Sequence, residues 1–390
     1  MTTARLRCPV CGGVSLETFV RRAEQPVHQN LLAGRRDEAR GVARGQLDMA
    51  VCGGCGFVFN ATFDAGLLSY GEHYDNTQSC SPHFEAYLDG LVEDLVTRCG
   101  VRDARIVEVG CGKGEFLHKL VGYPGANNRG QGFDPSYLGP PTALDGRLRF
   151  HTRYYGADCT DVPADVVICR HVIEHVADPL PLLKSVHAAL ANADRALVFF
   201  ETPCVDWILR HRVVWDFFYE HCSLFTAPSL SHAFGLAGFE VDRVDHVFGG
   251  QYLWLQARKS GRAAVPPAPG PGDTLQLARD YGREEGEMRR RWFDRLSGRP
   301  GRVALWGAGA KGVTLANLVD PDCSLIDCVV DLNPNKQGKF LPGTGHPIVG
   351  PAELAARGVT AAVLMNPNYR DENLARLGSM GLSVDLLDWR

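Results

Sequence analysis

After about residue 80 the chain alternates short apolar runs with helical stretches. Residues 105–109 (RIVEV), 165–169 (DVVIC) and 195–200 (RALVFF) read as strands buried on both faces of a parallel sheet. Residues 239–247 and 251–259 flank Gly249 and Gly250 and predict a closing antiparallel hairpin. Residues 260–273, rich in Pro, Gly and Ala, read as a linker. A charged helix is expected over Thr274 to Leu296. Beyond it, RVALWGAGAKG reads as a strand, a glycine turn and a helix start, and DCVVDLNP and TAAVLMNP add two strands. The first 60 residues or so carry little helical periodicity, and no internal repeat is seen. The pattern predicts an α/β chain in three parts, over residues 1–75, 76–259 and 274–390.

Composition narrows the function classes. The chain has 390 residues, 45% of them apolar, enough for two or three separate cores. Charged residues make up 22% and the net charge is −4, so no basic stripe points to nucleic acid or to an anionic membrane surface. No apolar run approaches the roughly 20 residues that span a bilayer. The opening MTTARLRCPVCGG lacks the apolar region of a signal peptide. The expectation is a cytoplasmic protein with a small-molecule substrate. In a reducing compartment, paired cysteines point to metal before disulfides.

Cys8 and Cys11, with Cys52 and Cys55, form a C-x2-C … C-x2-C set. Four thiolates satisfy the tetrahedral preference of zinc, and a closed shell of sulfur leaves no position for chemistry. The expected cofactor is therefore a structural Zn2+. The alternative is free or redox-active cysteines.

The run Val107–Phe116 follows a strand and opens a helix. Its Gly110, Gly112 and Gly114 are spaced G-x-G-x-G, unlike the G-x-G-x-x-G of a dinucleotide site. Glu108 and Glu115 are poor neighbours for a pyrophosphate and suit a ligand bearing an ammonium and a sulfonium. Asp134, in the next strand candidate, can accept from both hydroxyls of a ribose. This E-x-G-x-G-x-G with a distal Asp resembles the cofactor site of class I S-adenosylmethionine methyltransferases. The resemblance implies that Glu108, Gly110, Gly112, Gly114 and Asp134 hold S-adenosylmethionine. Residues 169–176, CRHVIEHV, resemble the family's segment along the methyl-donor pocket, which implies that Arg170 and His171 lie beside the cofactor and His175 one turn further on.

A second dense cluster is residues 215–226, WDFFYEHCSLFT. A histidine flanked by apolar rings can act as a general base; it can equally be a buried, satisfied core residue. The whole order resembles the bacterial sugar C-methyltransferases of deoxysugar biosynthesis: zinc module, class I Rossmann-like methyltransferase core, this segment, and a C-terminal Rossmann-like domain. In that family a 4-keto nucleotide sugar is deprotonated at C3 and the enolate takes the methyl group. The resemblance implies His221 as base with Glu220 beside it, and a role for His175. The family commonly reads Tyr-x-Glu-His; here Phe218 stands at the tyrosine position and Tyr219 next to it. Residues Tyr70–Ser81 match the family's tyrosine- and serine-rich loop loosely. O- or N-methylation of a non-sugar metabolite remains the alternative.

Gly307, Gly309 and Gly312 form a true G-x-G-x-x-G after a strand, and Asp331 follows the next one. Alone this fits a dinucleotide site. The resemblance implies instead a substrate-holding domain, with Lys311 near a phosphate oxygen.

Overall fold

The computed structural model describes residues 6–68, 81–193, 195–260 and 267–388. Its strands are β1 (Leu16–Pro26), β2 (Arg44–Cys52), β3 (Val58–Asn60), β4 (Arg105–Val109), β5 (Arg129–Phe133), β6 (Thr142–Ala143), β7 (Leu148–His151), β8 (Val166–Arg170) and β9 (Leu197–Pro203). These are followed by β10 (Ser223–Leu224), β11 (Phe239–Val247), β12 (Tyr252–Lys259), β13 (Arg302–Trp306), β14 (Ile326–Val330), β15 (Ile348–Val349), β16 (Val359–Leu364) and β17 (Asp385–Leu387).

The central sheet has the order β11-β12-β9-β8-β4-β5-β7-β6. Strands β7, β5, β4, β8 and β9 are parallel, and the β11–β12 hairpin adds antiparallel to β9. The apolar runs of β4 and β8 are buried on both faces because helices cover the sheet on each side. From β4 the chain winds out to β7, then returns to β8 on the other side of β4. The crevice at the carboxyl ends of β4 and β8 is thus the switch point at which doubly wound sheets bind ligands. β9 runs on to Pro203, past the expected Phe200, because its far edge pairs with β12 up to Tyr252.

The third sheet, β15-β14-β13-β16-β17, is parallel throughout. Its order reverses between β13 and β16, so its own switch point lies after Trp306 and Leu364.

The first sheet, β1-β2-β3-β10, is antiparallel and crosses the expected limits of the amino-terminal module. β10 comes from the segment after the core strands, and helix Thr274–Ser297 packs on β1 and β2. Arg22 ties the three together. Fully buried, it donates to Glu285 Oε1 at 2.7 Å and to the carbonyls of Phe217 and Val214 at 2.7 and 2.8 Å. Such a short sheet cannot bury both faces alone, which is why later segments complete it.

Candidate active site

The two cysteine pairs sit on matching turns. Cys8 N donates to Gly13 O and Gly12 N to Cys8 O, each at 2.9 Å; in the β2–β3 turn Cys52 N donates to Phe57 O and Gly56 N to Cys52 O, again at 2.9 Å. The turns bring Cys8 Sγ to 3.7 Å from Cys55 Sγ and Cys11 Sγ to 3.5 Å from Cys52 Sγ, and all four sulfurs lie within 4.8 Å of one another. Four sulfurs around a zinc at about 2.3 Å stand about 3.8 Å apart, so the set has the size of that shell. Gly54 N donates to Cys52 Sγ at 3.3 Å. Bonds from Cys55 and Cys8 hold the Cys52 thiol far below its ordinary range, while the bond to Cys52 and burial push Cys8 up to about 12. Sulfurs this close share little negative charge without a cation among them.

At the switch point of the central sheet, Gly110 leaves β4 with φ 69°. A Cβ there would run into the Val172 side chain, so the turn can pass against the β8 loop only as glycine. Asp134 follows β5. Its Oδ2 accepts from Gly112 N at 2.9 Å, and its Oδ1 accepts from Ser136 N and Oγ at 2.8 and 2.6 Å. The carboxylate is therefore fixed at the lip of the glycine turn, with lone pairs left for a diol. Glu108 is buried beneath the turn. Burial pushes its carboxyl up to about 8 even with Arg170 near. Arg170 lies over the Phe116 ring and donates to Glu201 Oε2 at 2.6 Å; Tyr87 OH donates to Glu201 Oε1. Burial raises the Glu201 carboxyl, but Arg170 and the other partners override it and hold it down.

Beyond this network lies a cavity of about 310 Å³. On one wall stand His171, Glu174, His175 and His221, and the acceptor and donor atoms of Glu174, His175 and His221 converge within 4.8 Å. The second glycine turn, Gly307, Gly309, Lys311 and Gly312, lines the same cavity. Burial pulls His221 well below the usual histidine range, reinforced by His175, His171 and Lys311. Phe218 packs against it at a tilt, with centroids 4.0 Å apart. Lys311 is held by Asp216 at 3.0 Å, and Asp331 Oδ2 accepts from Ala308 N at 2.8 Å, much as Asp134 accepts from Gly112 N. A Cβ on Gly312 would run into the Gly307 carbonyl.

The two glycine turns thus serve two different spaces, one at the core switch point and one closing the histidine cavity. Residues 84–244 match the methyltransferase-domain family, and residues 282–381 match the family of C-methyltransferase C-terminal domains. The chain thus carries a methyltransferase domain followed by a C-methyltransferase C-terminal domain, and it is an S-adenosylmethionine-dependent methyltransferase. It is 28% identical over 387 residues to C-methyltransferase NovU of Streptomyces niveus, across 94% of this chain and 90% of that protein. Among solved structures, the 1,6-didemethyltoxoflavin-N1-methyltransferase of Burkholderia thailandensis is 18% identical, covering 45% of this chain and 79% of its own, with a TM-score of 0.35. The magnesium protoporphyrin IX methyltransferase of Synechocystis is also 18% identical, covering 46% and 84%, with a TM-score of 0.36.

Two of the sequence-predicted residues have their polar groups engaged elsewhere, although Glu220 also lines the cavity. Glu220 accepts from Gln29 N at 2.9 Å and stands 3.5 Å from His28 Nδ1, so its carboxylate is spent on the amino-terminal module. Tyr219 lies outside the cavity wall: it is buried over Gly45, and its hydroxyl bonds to the Asp64 backbone. The reason is local. Residues 218–221 form a turn in which His221 N donates to Phe218 O at 3.2 Å, so Phe218 and His221 come side by side on the cavity while Tyr219 packs against the sheet. Residues 70–80, including Tyr70 and Tyr74, lie outside the described residues. Sequence reasoning missed Glu174, Glu201, Asp216 and Gln251, all buried polar groups at or beside the cavity. Among the described residues no helix is long and apolar enough to cross a membrane.

Proposed function

We propose that this methyltransferase transfers a methyl group to carbon of a nucleotide-linked keto-deoxysugar in natural-product biosynthesis, with His221 as general base. One observation carries the reading: a single cavity runs from His175 and His221 to the second glycine turn. A substrate that reaches both has a reacting end at the histidines and a long polar end at Gly307–Gly312. A nucleotide sugar has that shape.

In this reading Glu108, Gly110, Gly112, Gly114 and Asp134 hold S-adenosylmethionine, which supplies an electrophilic methyl group when bound. The geometry fits: Asp134 is fixed at the lip of a turn that only glycine can make, ready for the ribose, and Arg170 stays committed to Glu201 beneath it. Cys8, Cys11, Cys52 and Cys55 hold a structural zinc, remote from the chemistry. Desolvation, reinforced by His175, His171 and Lys311, holds His221 well below the usual histidine range and so favours its neutral form, and a neutral imidazole can take a proton from the carbon beside a ketone. His175 lies against it and shapes its approach.

The test is direct. The enzyme is incubated with S-adenosylmethionine and a 4-keto-6-deoxyhexose carried on thymidine diphosphate, and the new methyl is located by NMR. A methyl on the carbon beside the ketone is expected. A methyl on oxygen or nitrogen of another metabolite, with this sugar untouched, overturns the reading.

A further inference from the structure

His171 is the first residue past β8, and it leaves the strand with φ 53°. That left-handed conformation is uncommon for a residue that carries a Cβ, and such positions cluster at functional sites. Its amide is held by Glu201 O at 2.9 Å. Its Nδ1 lies 3.1 Å from Glu174 Oε1, and the ring meets Tyr252 edge to face with centroids 4.6 Å apart. Glu174 is itself fully buried, and its other oxygen accepts from Thr202 Oγ1 at 3.1 Å. The ring is therefore held at Nδ1 and against Tyr252. At the other nitrogen it is not: Nε2 is buried without a hydrogen-bond partner among the described residues, and Glu201 Oε2 stands off at 3.6 Å. A buried polar nitrogen without a partner, beside an Arg170 Nη2 that also has none, calls for an explanation, and a ligand group is one. His171 lines the cavity with His175 and His221.

We propose that His171 is a catalytic residue that donates from Nε2 to the carbonyl oxygen beside the methylated carbon. The proposal rests on the reading of His221 as base. His221 takes the proton from that carbon. The C–H electron pair becomes the new C=C bond, and the carbonyl π pair moves onto oxygen. That oxygen carries the developing negative charge. A carboxylate oxygen faces each ring nitrogen, Glu174 at Nδ1 and Glu201 at Nε2. A substrate oxygen entering the cavity takes over the Nε2 position that Glu201 reaches poorly. The enolate carbon then attacks the methyl group, and the S–CH3 bonding pair stays with sulfur. Glu174 is the positioning residue: it holds the ring at Nδ1. A preorganised donor aimed at a forming oxyanion acts strongly in a site closed to water.

Deprotonation can be watched without methyl transfer. The enzyme is mixed in deuterium oxide with S-adenosylhomocysteine and the thymidine-diphosphate-linked 4-keto-6-deoxyhexose, and loss of the proton beside the ketone is followed by NMR. His171→Asn tolerates the left-handed backbone but falls short of the substrate oxygen. It should slow exchange and methylation together by about 10²–10³, the usual loss for one oxyanion donor. Affinity for S-adenosylhomocysteine, by calorimetry, should stay at the wild-type value. Glu174→Gln keeps the shape and should lower both rates in parallel, with the same cofactor affinity. Wild-type exchange in His171→Asn overturns the proposal and leaves His221 as base. A loss of cofactor affinity that accounts for the rate also overturns it, because His171 then serves the cofactor. If wild type exchanges no proton at all, the base reading itself fails and the proposal falls with it.

Discussion

The rings of His175 and His221 meet edge to face with their centroids 4.8 Å apart. A second proton on either ring would face the other, and burial adds to that cost at His221. Sequence left two opposing effects on His221, a carboxylate at Glu220 and a cage of aromatic rings. The structure turns Glu220 onto Gln29 N and leaves the rings, so the lowering wins. The protonated form cannot act as a base, so activity is lost only as pH falls through a pKa well under 6.5. Turnover should therefore be flat through neutral pH. His221→Asn should cut the rate by about 10²–10⁴, with cofactor affinity unchanged. A pH–rate profile with chemistry rate-limiting checks both; a profile still rising between pH 6 and pH 8 on the order of tenfold contradicts a buried neutral base.

The cysteine cluster should hold one zinc per chain. Cys52→Ser should lower the melting temperature more than it alters kcat, because the four-sulfur shell has no open position. The β2–β3 turn also carries β10 on its neighbour β3, so the loss should spread to the cavity segment at residues 215–226. Elemental analysis of protein never exposed to chelator, paired with thermal unfolding, reads the result. Absence of zinc there would remove the assignment.

Asp134→Ala takes away the carboxylate at the lip of the first turn. Cofactor affinity should fall by about 2–3 kcal/mol, the size of charge-assisted hydrogen bonds to a diol. Gly112 N and Ser136 lose their acceptor too, so Asp134→Asn, which keeps part of that bonding, separates ribose contact from turn geometry. Calorimetry with S-adenosylhomocysteine gives both values. NAD should bind weakly at the second turn, where Asp331 already accepts from Ala308 N and Asn333 N. Tight NAD binding there would revive a dinucleotide role.

His346 and Asp320 form a fully buried pair, Nε2 to Oδ2 at 2.9 Å. Burial lowers His346, but the bond to Asp320 overrides it and the net shift is upward. Burial raises Asp320, but His346 and the amides of Ile326, Ser324 and Leu325 bring it well below 3.8. The aspartate part of the stabilisation is present above 3.8 and is lost as pH falls through the depressed value. The histidine part is complete below 6.5 and is lost as pH rises through the raised value. Asp320→Asn should cost about 3–5 kcal/mol, the usual penalty for breaking a buried pair. Urea midpoints against pH should show the gap to wild type narrowing above pH 6.5.

The sequence alone determined the parts whose signal is local. Buried parallel strands read as unbroken apolar runs, and β4, β8, β13 and the β11–β12 hairpin lie where those runs lie. Glycine turns read as spacing, and paired cysteines read as knuckles, because backbone clash and ligand number are properties of a few neighbouring residues. Tertiary structure decided what depends on residues far apart in the chain. It set Glu220 against Gln29, Arg22 against Glu285, and His171 between Glu174 and Glu201. It also brought the second glycine turn and the histidines to one cavity. A carboxylate has the same letter whether it orients an imidazole or anchors a distant strand. Only the packing of three sheets, each completed or covered by segments from elsewhere, selects its partner.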